Sequence, residues 1–138
     1  PGQSPLQIAQ LYGGESGWQR SLGLAATNAI SQFVLKKAGI TFPPLVGQIR
    51  TNGTRLTVLE LDQYWLQEAD EFLVTLDSEH LRECNKVVCS GTVLANQTID
   101  SVLQHCRGAA QTLIAGPTVG CLPKPLFDRG LTHLAATE

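Results

Sequence analysis

The sequence predicts an α/β domain in which helices cover both faces of a parallel sheet. The chain has 138 residues and 14.9 kDa, which is the usual size of one domain. It is 43% hydrophobic and 16% charged, so it can bury a core. From residue 86 onward, short apolar runs alternate with helical patterns across short loops, and this alternation is typical of right-handed parallel crossovers.

The N-terminal region is predicted to be an irregular segment followed by a long helix. Residues 1–15 are rich in Gly, Pro, Gln and Ser, with one short helix expected at Leu6–Leu11. Ser16 and Gln19 match the capping box that begins helices. Apolar residues follow at helical spacing, and Gly39 stands where a glycine commonly ends a helix.

The middle of the chain is predicted to contain a second helix and then a strand. Pro43-Pro44 can begin a helix, because the first N–H groups of a helix have no partner in any case. This helix is expected to end near Asn52-Gly53. Leu56–Leu59 is rich in β-forming residues and predicts a strand, and Ser78–Glu83 predicts a small helix.

The second half of the chain shows the clearest alternation. Apolar runs predict three strands, at Lys86–Ser90, Thr112–Ala115 and Leu131–Ala135. Helical patterns between them predict a helix capped by Thr98 and closed by Gly108, and a short helix at Lys124–Arg129. Such a chain order predicts that the three strands are parallel neighbours.

Composition excludes several functions. A net charge of −2 and a pI near 5.9 provide no basic field for a nucleic acid. No apolar run approaches the roughly 18 residues that span a bilayer, and no signal-peptide pattern opens the chain. The four cysteines include no C-x-x-C pair, so we expect reduced thiols in a cytoplasmic protein.

Polar and glycine residues gather where the predicted strands end. Gly91-Thr92 follows one strand, Gly116-Pro117-Thr118 follows the next, and Glu60 follows the strand before both. Because the carboxyl ends of parallel strands share one edge, ligands bind in the crevice beyond that edge. Glycine there lets a ligand approach the backbone, and helix N-termini offer free N–H groups. The same residues also suit strand-to-helix turns for their own geometry.

Thiols and imidazoles are the side chains that soft metals prefer. Cys121 lies in the loop at the predicted ligand edge, where it could join Glu60 or Asp62 in a mixed site that still needs a third ligand. His80 and Cys84 share one helix face but form only a two-ligand pair. The other cysteines fit core positions better, and His105 is expected to be solvated.

Several blocks of the sequence resemble a prokaryotic family known as "putative heavy-metal chelation" domains. The resemblance rests on the runs Gly91–Thr98, Gly116–Thr118 and Pro125–Gly130, with two further blocks at Ser21–Ser31 and Phe42–Val46. Together they cover about residues 17–137. The resemblance implies a Rossmann-like domain over residues 16–138. It also implies a preceding domain similar to the N-terminal domain of enolase, with the site between the two.

The chain departs from the family pattern at two places. The enolase-like domain is absent from this chain. A strand that the family has before its Phe-Pro-Pro block is also absent, because Ile40-Thr41 leads directly into Phe42. This predicts either that residues are missing between positions 40 and 42, or that the sheet has lost its first strand.

These observations favour a domain that binds a small ligand, a metal ion or a metal chelate, with a divalent heavy metal as the implied cofactor. The alternatives are a transferase-like enzyme acting on a small cofactor-like molecule, and a non-catalytic assembly domain. No matched acid–base pair is present, so no catalytic residue is assigned, and a homo-oligomer is an open expectation. The predicted metal ligand is Cys121, and the predicted ligand-binding residues are Glu60, Gly91, Thr92, Asn96, Thr98, Gly116, Pro117 and Thr118.

Overall fold

The computed structural model describes residues 2–42, 49–51, 54–58 and 75–136. Within these ranges the chain forms α-helices and strands joined by short turns, with 3-10 turns at Gln10–Gly13, Ser78–Glu83 and Cys106–Gly108. The helices are α1 (Pro5–Ala9), α2 (Gly17–Lys37), α3 (Thr92–Ala95), α4 (Ile99–His105) and α5 (Lys124–Phe127). The strands are β1 (Ile49–Thr51), β2 (Thr54–Val58), β3 (Lys86–Ser90), β4 (Gln111–Gly116) and β5 (His133–Ala136).

Strands β3, β4 and β5 form a parallel sheet in that order. Val88 lies opposite Leu113, and Leu113 lies opposite His133, so the three strands run in register from one edge to the other. Leu113 and Ile114 point to opposite faces of the central strand, yet both are 0% exposed. Both faces of β4 are therefore covered, as a parallel sheet requires, and the predicted α/β class is confirmed.

The predicted helix α4 packs against the sheet, and the short helix α3, which was not predicted, joins it through Leu94. Ile99 and Leu103 are buried in one cluster with Ile114 of β4, and Leu24 of α2 joins the same cluster. The helix predicted after Thr98 is confirmed, but its start differs in detail. Thr98 occupies the N-cap position without a side-chain capping bond to the helix.

Helix α2 is the longest described helix, and its predicted capping box is present. The amide of Gln19 donates to Ser16 Oγ at 3.4 Å, and the amide of Ser16 donates to Gln19 Oε1 at 3.2 Å. The helix ends at Lys37, and Gly39 adopts a φ of +66° just after it. One face of the helix is buried against the rest of the chain, through Leu24, Ser31 and Leu35 among others.

The helix predicted from Pro43 to near Asn52-Gly53 is wrong at its end. Residues 43–48 lie outside the described ranges, but Ile49–Thr51 is strand β1, which pairs antiparallel with β2. Thr51 pairs with Thr54, so the connection has two residues, Asn52-Gly53. This dipeptide is a strong signal for a two-residue hairpin, although it is also compatible with the end of a helix. The strand predicted at Leu56–Leu59 is confirmed as β2.

The hairpin also changes the argument for Glu60. Strand β2 pairs with β1 and not with the three parallel strands in the described part of the chain. The reasoning that placed Glu60 at a shared edge therefore does not hold, and Glu60 itself lies outside the described residues.

Among the helices that the structure describes, none is long and apolar enough to cross a membrane. The missing-residue hypothesis at positions 40–42 stays a prediction.

Candidate functional site at the carboxyl edge of the sheet

The turns that follow β3 and β4 lie directly against each other. The amide of Gly91 donates to the carbonyl of Ala115 at 2.7 Å. A Cβ atom on Gly91 would stand 2.4 Å from both Thr118 Oγ1 and Val119 Cγ2, so the contact leaves no room for a side chain. Gly116 has a φ of +141°, a conformation that L side chains rarely adopt. The packing of the two turns thus explains both glycines.

Three predicted ligand residues take part in local turn geometry. The hydroxyl of Thr92 lies 2.9 Å from Ser90 Oγ. Asn96 Oδ1 accepts from the Thr98 amide at 3.1 Å and from the Thr98 hydroxyl at 2.7 Å. These side chains are exposed, and their hydrogen bonds to near neighbours in the sequence form the turns at the start of helices α3 and α4. Pro117 is exposed beside them, at the rim of the edge.

A row of polar side chains on α2 holds the loop that follows β4. Asn28 Nδ2 donates to the Thr118 carbonyl at 2.8 Å, and Gln32 Nε2 donates to the Gly120 carbonyl at 2.9 Å. Ser31 Oγ accepts from the amide of Leu122 at 3.2 Å. No role was predicted for these three residues from the sequence. Their signal was present, because polar residues at i, i+3 and i+4 lie next to one another on the helix surface.

Two buried polar atoms at this contact have no hydrogen-bond partner within the described ranges. They are Asn28 Oδ1 and Thr118 Oγ1. An unsatisfied buried polar group costs about 1–3 kcal/mol, so each such atom in a protein calls for an explanation. Both belong to residues that the Asn28–Thr118 hydrogen bond brings together at the carboxyl edge. The edge therefore contains one acceptor and one hydroxyl that no hydrogen bond within the described ranges uses, and both atoms are closed to solvent.

Cys121 lies at the same edge but is held as a thiol. It is half-buried and packs against the cluster that contains Leu24 and Ile114. Burial raises the pKa of the Cys121 thiol, and burial together with Cys121 raises the pKa of Tyr12. A metal ligand must be the thiolate, so a metal would have to displace the proton.

The described residues do not by themselves complete a metal site. In those ranges, no three His, Cys, Asp or Glu side chains lie close enough to share an ion. His80 Nδ1 lies 3.0 Å from Thr75 Oγ1, and the Cys84 thiol donates to the His80 carbonyl at 3.5 Å. Burial raises the pKa of Cys89 to about 12, which fits its predicted place in the core. Cys106 is buried as well.

The amino edge of the sheet carries a different group of residues. An open cavity of about 350 Å³ is lined there by Arg82, Gln104, His105, Arg107 and Gly108. Within it, His105 Nε2 lies 2.9 Å from Glu79 Oε1 and Nδ1 lies 2.6 Å from the Ser101 carbonyl. The expectation that His105 is solvated is wrong, because its side chain is only 10% exposed.

The electrostatics of this amino-edge group follow from those contacts. Both nitrogens of His105 face acceptors, which only the doubly protonated ring satisfies. The carbonyl of Ser101 and the carboxylate of Glu79 accordingly raise the pKa of His105. The hydrogen bond from His105 lowers the pKa of Glu79, and Arg82, whose Nε lies 2.9 Å from Glu79 Oε2, acts in the same direction.

Comparisons with known proteins place the chain among relatives of undetermined activity. A family model described as "Putative heavy-metal chelation" matches residues 39–138. An uncharacterized protein of Methanocaldococcus jannaschii is 30% identical over 141 residues, which cover 87% of this chain and 54% of that protein. The chain thus spans about half the length of this curated relative.

Two solved structures share the fold. A protein with unknown function of the same family from Pyrococcus horikoshii matches with a TM-score of 0.66 and 24% identity, over 98% of this chain and 63% of that one. A second, from Desulfitobacterium hafniense, matches with a TM-score of 0.66 and 21% identity, over 96% of this chain and 61% of that one. This chain is therefore shorter than the proteins it resembles.

Proposed function

This chain belongs to the family described as "Putative heavy-metal chelation", and from that premise we propose that it binds a small ligand at the carboxyl edge of its parallel sheet. The ligand is a polar molecule, a divalent heavy metal or a chelate that carries such a metal. Gly91, Gly116, Pro117 and Thr118 frame the site. Open parallel sheets bind ligands at this edge, which supports the location.

The observation that carries the proposal is the pair of unused polar atoms, Asn28 Oδ1 and Thr118 Oγ1. Both atoms are closed to solvent, so a ligand would reach them only if the loop after β4 shifts; a ligand that donates to the amide oxygen and bonds the hydroxyl would then remove the cost of both. The pair is uncharged, so it would orient a ligand rather than neutralise it. A polar group of the ligand, such as a hydroxyl or an amine, suits this arrangement better than a bare cation does.

The chelate is the form of metal that the described residues favour. Cys121 provides one soft ligand atom once its proton is lost, and no second and third ligand lie beside it in the described ranges. A metal that arrives with most of its own ligands needs only one such contact. A bare ion would need further ligands from outside those ranges.

The free cysteines also support a cellular location for the protein. All four cysteines are free in the structure, and free thiols persist in reducing compartments. We therefore retain the cytoplasm as the proposed location. Metal bound through Cys121 would release its proton, so the affinity for such a metal would rise with pH below the raised pKa of the thiol.

Thermal unfolding of the purified protein against soft and hard divalent ions and small polar chelators tests this function. We expect a compound from the panel to raise the midpoint of the natural protein. Thr118→Val should remove that response. In the absence of ligand, the same variant should be at least as stable as the natural protein, because it deletes an unsatisfied hydroxyl while keeping the shape of the side chain.

Thr132→Val is the matched control, since its hydroxyl is fully used. Thr132 Oγ1 accepts from the Thr112 amide at 2.7 Å and donates to the Thr112 carbonyl at 2.9 Å. This control should lose stability and keep the ligand response. Metal analysis of the natural protein and of Cys121→Ser tests the thiol separately. A Thr118→Val variant that loses stability and binds normally would contradict the proposed site.

A further inference from the structure

The outward side of helix α2 carries a continuous apolar stripe. It consists of Trp18, Leu22, Ala25, Ala29 and Phe33, which we call the outer stripe. The exposed fractions are 65% for Trp18, 45% for Leu22 and 63% for Phe33. Single exposed apolar residues are normal, but a contiguous apolar surface marks an interaction site.

The spacing of the outer stripe places it opposite the buried side of the helix. Its members follow one another at intervals of four, three, four and four residues, which keeps them on one side at about 100° per residue. Leu24, Ser31 and Leu35, which point to the core, lie on the other side. The stripe therefore faces away from the buried side of α2, and among the described residues the one cation–π contact to its aromatic rings is that of Lys37, whose Nζ lies 5.6 Å from the centre of the Phe33 ring.

We propose that the outer stripe binds a second copy of this chain, with the two α2 helices antiparallel across a two-fold axis near Ala25 and Ala26. In that arrangement, a residue faces the partner residue for which the two residue numbers add up to 51. Trp18 then faces the partner's Phe33, and Leu22 faces the partner's Ala29. Aromatic side chains meet at both ends, while small residues at the centre let the helices approach closely.

Charge identifies the partner as a second copy and sets the direction of the helices. Glu15 precedes the stripe and Lys36 follows it, and neither makes an ion pair with a described residue. The antiparallel pair places Glu15 opposite the partner's Lys36, since 15 and 36 also sum to 51. A parallel pair would place like charges together at each end, which is unfavourable.

The size of the stripe predicts a weak dimer. A single pair of helices buries less surface than the roughly 1,200 Å² of a stable interface, so we expect a dimer that dissociates on dilution. The outer stripe is distinct from Asn28 and Ser31, which bond the loop after β4 from other positions on α2, but it borders Gln32, which also bonds that loop and lies seven residues after Ala25.

Sedimentation velocity across a wide concentration range, up to millimolar protein, tests the proposal. The natural chain should pass from monomer to dimer. Ala29→Glu should keep the chain monomeric throughout, because it places a charge opposite the partner's Leu22. Val34→Glu is the matched control: Val34 is 45% exposed and lies on a different side of α2, so this variant should dimerise like the natural chain.

Charge reversal provides the sharper test. Glu15→Lys and Lys36→Glu should each weaken the dimer by about tenfold at low salt, since the symmetry repeats every change at both ends. The double variant should dimerise as the natural chain does, because each copy then presents the reversed pair. A chain that is monomeric at all concentrations would overturn the proposal. A dimer that survives Ala29→Glu, or one that the double variant does not restore, would overturn it equally.

Discussion

The two edges of the parallel sheet are built from different interactions. At the carboxyl edge, uncharged side chains bond to backbone groups far away in the sequence. Tyr12 donates to the Leu94 carbonyl at 2.5 Å, and Asn28 donates to the Thr118 carbonyl. At the amino edge, by contrast, Glu79 joins His105 and Arg82 through charges. The carboxyl edge is held mainly by shape and neutral hydrogen bonds, with an exposed ion pair of Arg129 and Asp100 beside them, and the amino edge by ionised groups near solvent.

This difference predicts how each edge responds to change. Neutral, backbone-directed hydrogen bonds are insensitive to salt and pH, but close packing makes the carboxyl edge sensitive to a single added carbon. Charged pairs with exposed members tolerate changes in volume and respond to salt and pH instead. A site that must keep its shape under varied conditions is better placed at the first edge, in agreement with the proposed function.

The largest effect should come from adding one carbon to Gly91. Its backbone suits alanine, with φ −57° and ψ −11°, so Gly91→Ala tests the close contact with Thr118 and Val119 alone. We expect a loss of about 1–3 kcal/mol in the free energy of unfolding. Gly108→Ala is the control at the amino edge, where the nearest atom would be 3.9 Å away. If chemical denaturation shows the same loss in the free energy of unfolding for both variants, the two edges do not differ in packing.

A smaller loss should follow from removing one neutral hydrogen bond at the carboxyl edge. Tyr12→Phe deletes the hydroxyl that bonds the Leu94 carbonyl and should cost about 0.5–1.5 kcal/mol. Because neither group is charged, the loss should be the same in low and high salt. Urea unfolding measures it, with sodium chloride added in one series. A loss that shrinks as salt rises would show that charge contributes at this edge too.

The smallest effects should lie at the amino edge and depend on pH. The pKa of His105 is raised, so its contribution to stability is complete below its ordinary value of 6.5 and is lost as pH rises through the raised pKa. The pKa of Glu79 is lowered, so its contribution is complete above 4.5 and is lost as pH falls through the lowered pKa. The pair therefore stabilises most between those two values.

His105→Gln should accordingly cost more stability at about pH 5.5 than at about pH 8.5. Arg82→Gln is the control, because arginine does not titrate in this range and its pair with Glu79 is exposed. It should give a small loss that is equal at both pH values. Unfolding midpoints of the three proteins at each pH provide the measurement. A His105→Gln difference that does not change with pH would contradict the charged pair.

Local patterns in the sequence predicted the parts of the fold that local patterns determine. The capping box at Ser16 and the alternation from Lys86 to Ala135 depend on neighbouring residues, and both are present. The hairpin of β1 and β2 was missed, because Asn52-Gly53 can end a helix as well as turn a strand. The pairing of β1 with β2 decides between a helix end and a hairpin turn. The pattern of a single segment carries no information about that pairing.

The site could be predicted only in outline. Gly91 and the loop at Gly116 were assigned to one edge because parallel strands place their ends together, and the structure brings those turns into contact. The support from α2 was missed because Asn28 lies 90 residues from Thr118. The pair of Glu79 and His105, 26 residues apart, was missed for the same reason. Neither pair lies within one helix or strand pattern.

The distances along the chain between bonded groups also imply an order of assembly. Paired residues of β3 and β4 are separated by 25 positions, and those of β4 and β5 by 20. By contrast, the hydrogen bonds that join α2 and Tyr12 to the sheet loops span 82 to 91 positions. Closing the longer loops costs more chain entropy and slows folding. We therefore expect the three strands to form first and α2 to dock onto them late, as the last closure of the carboxyl edge.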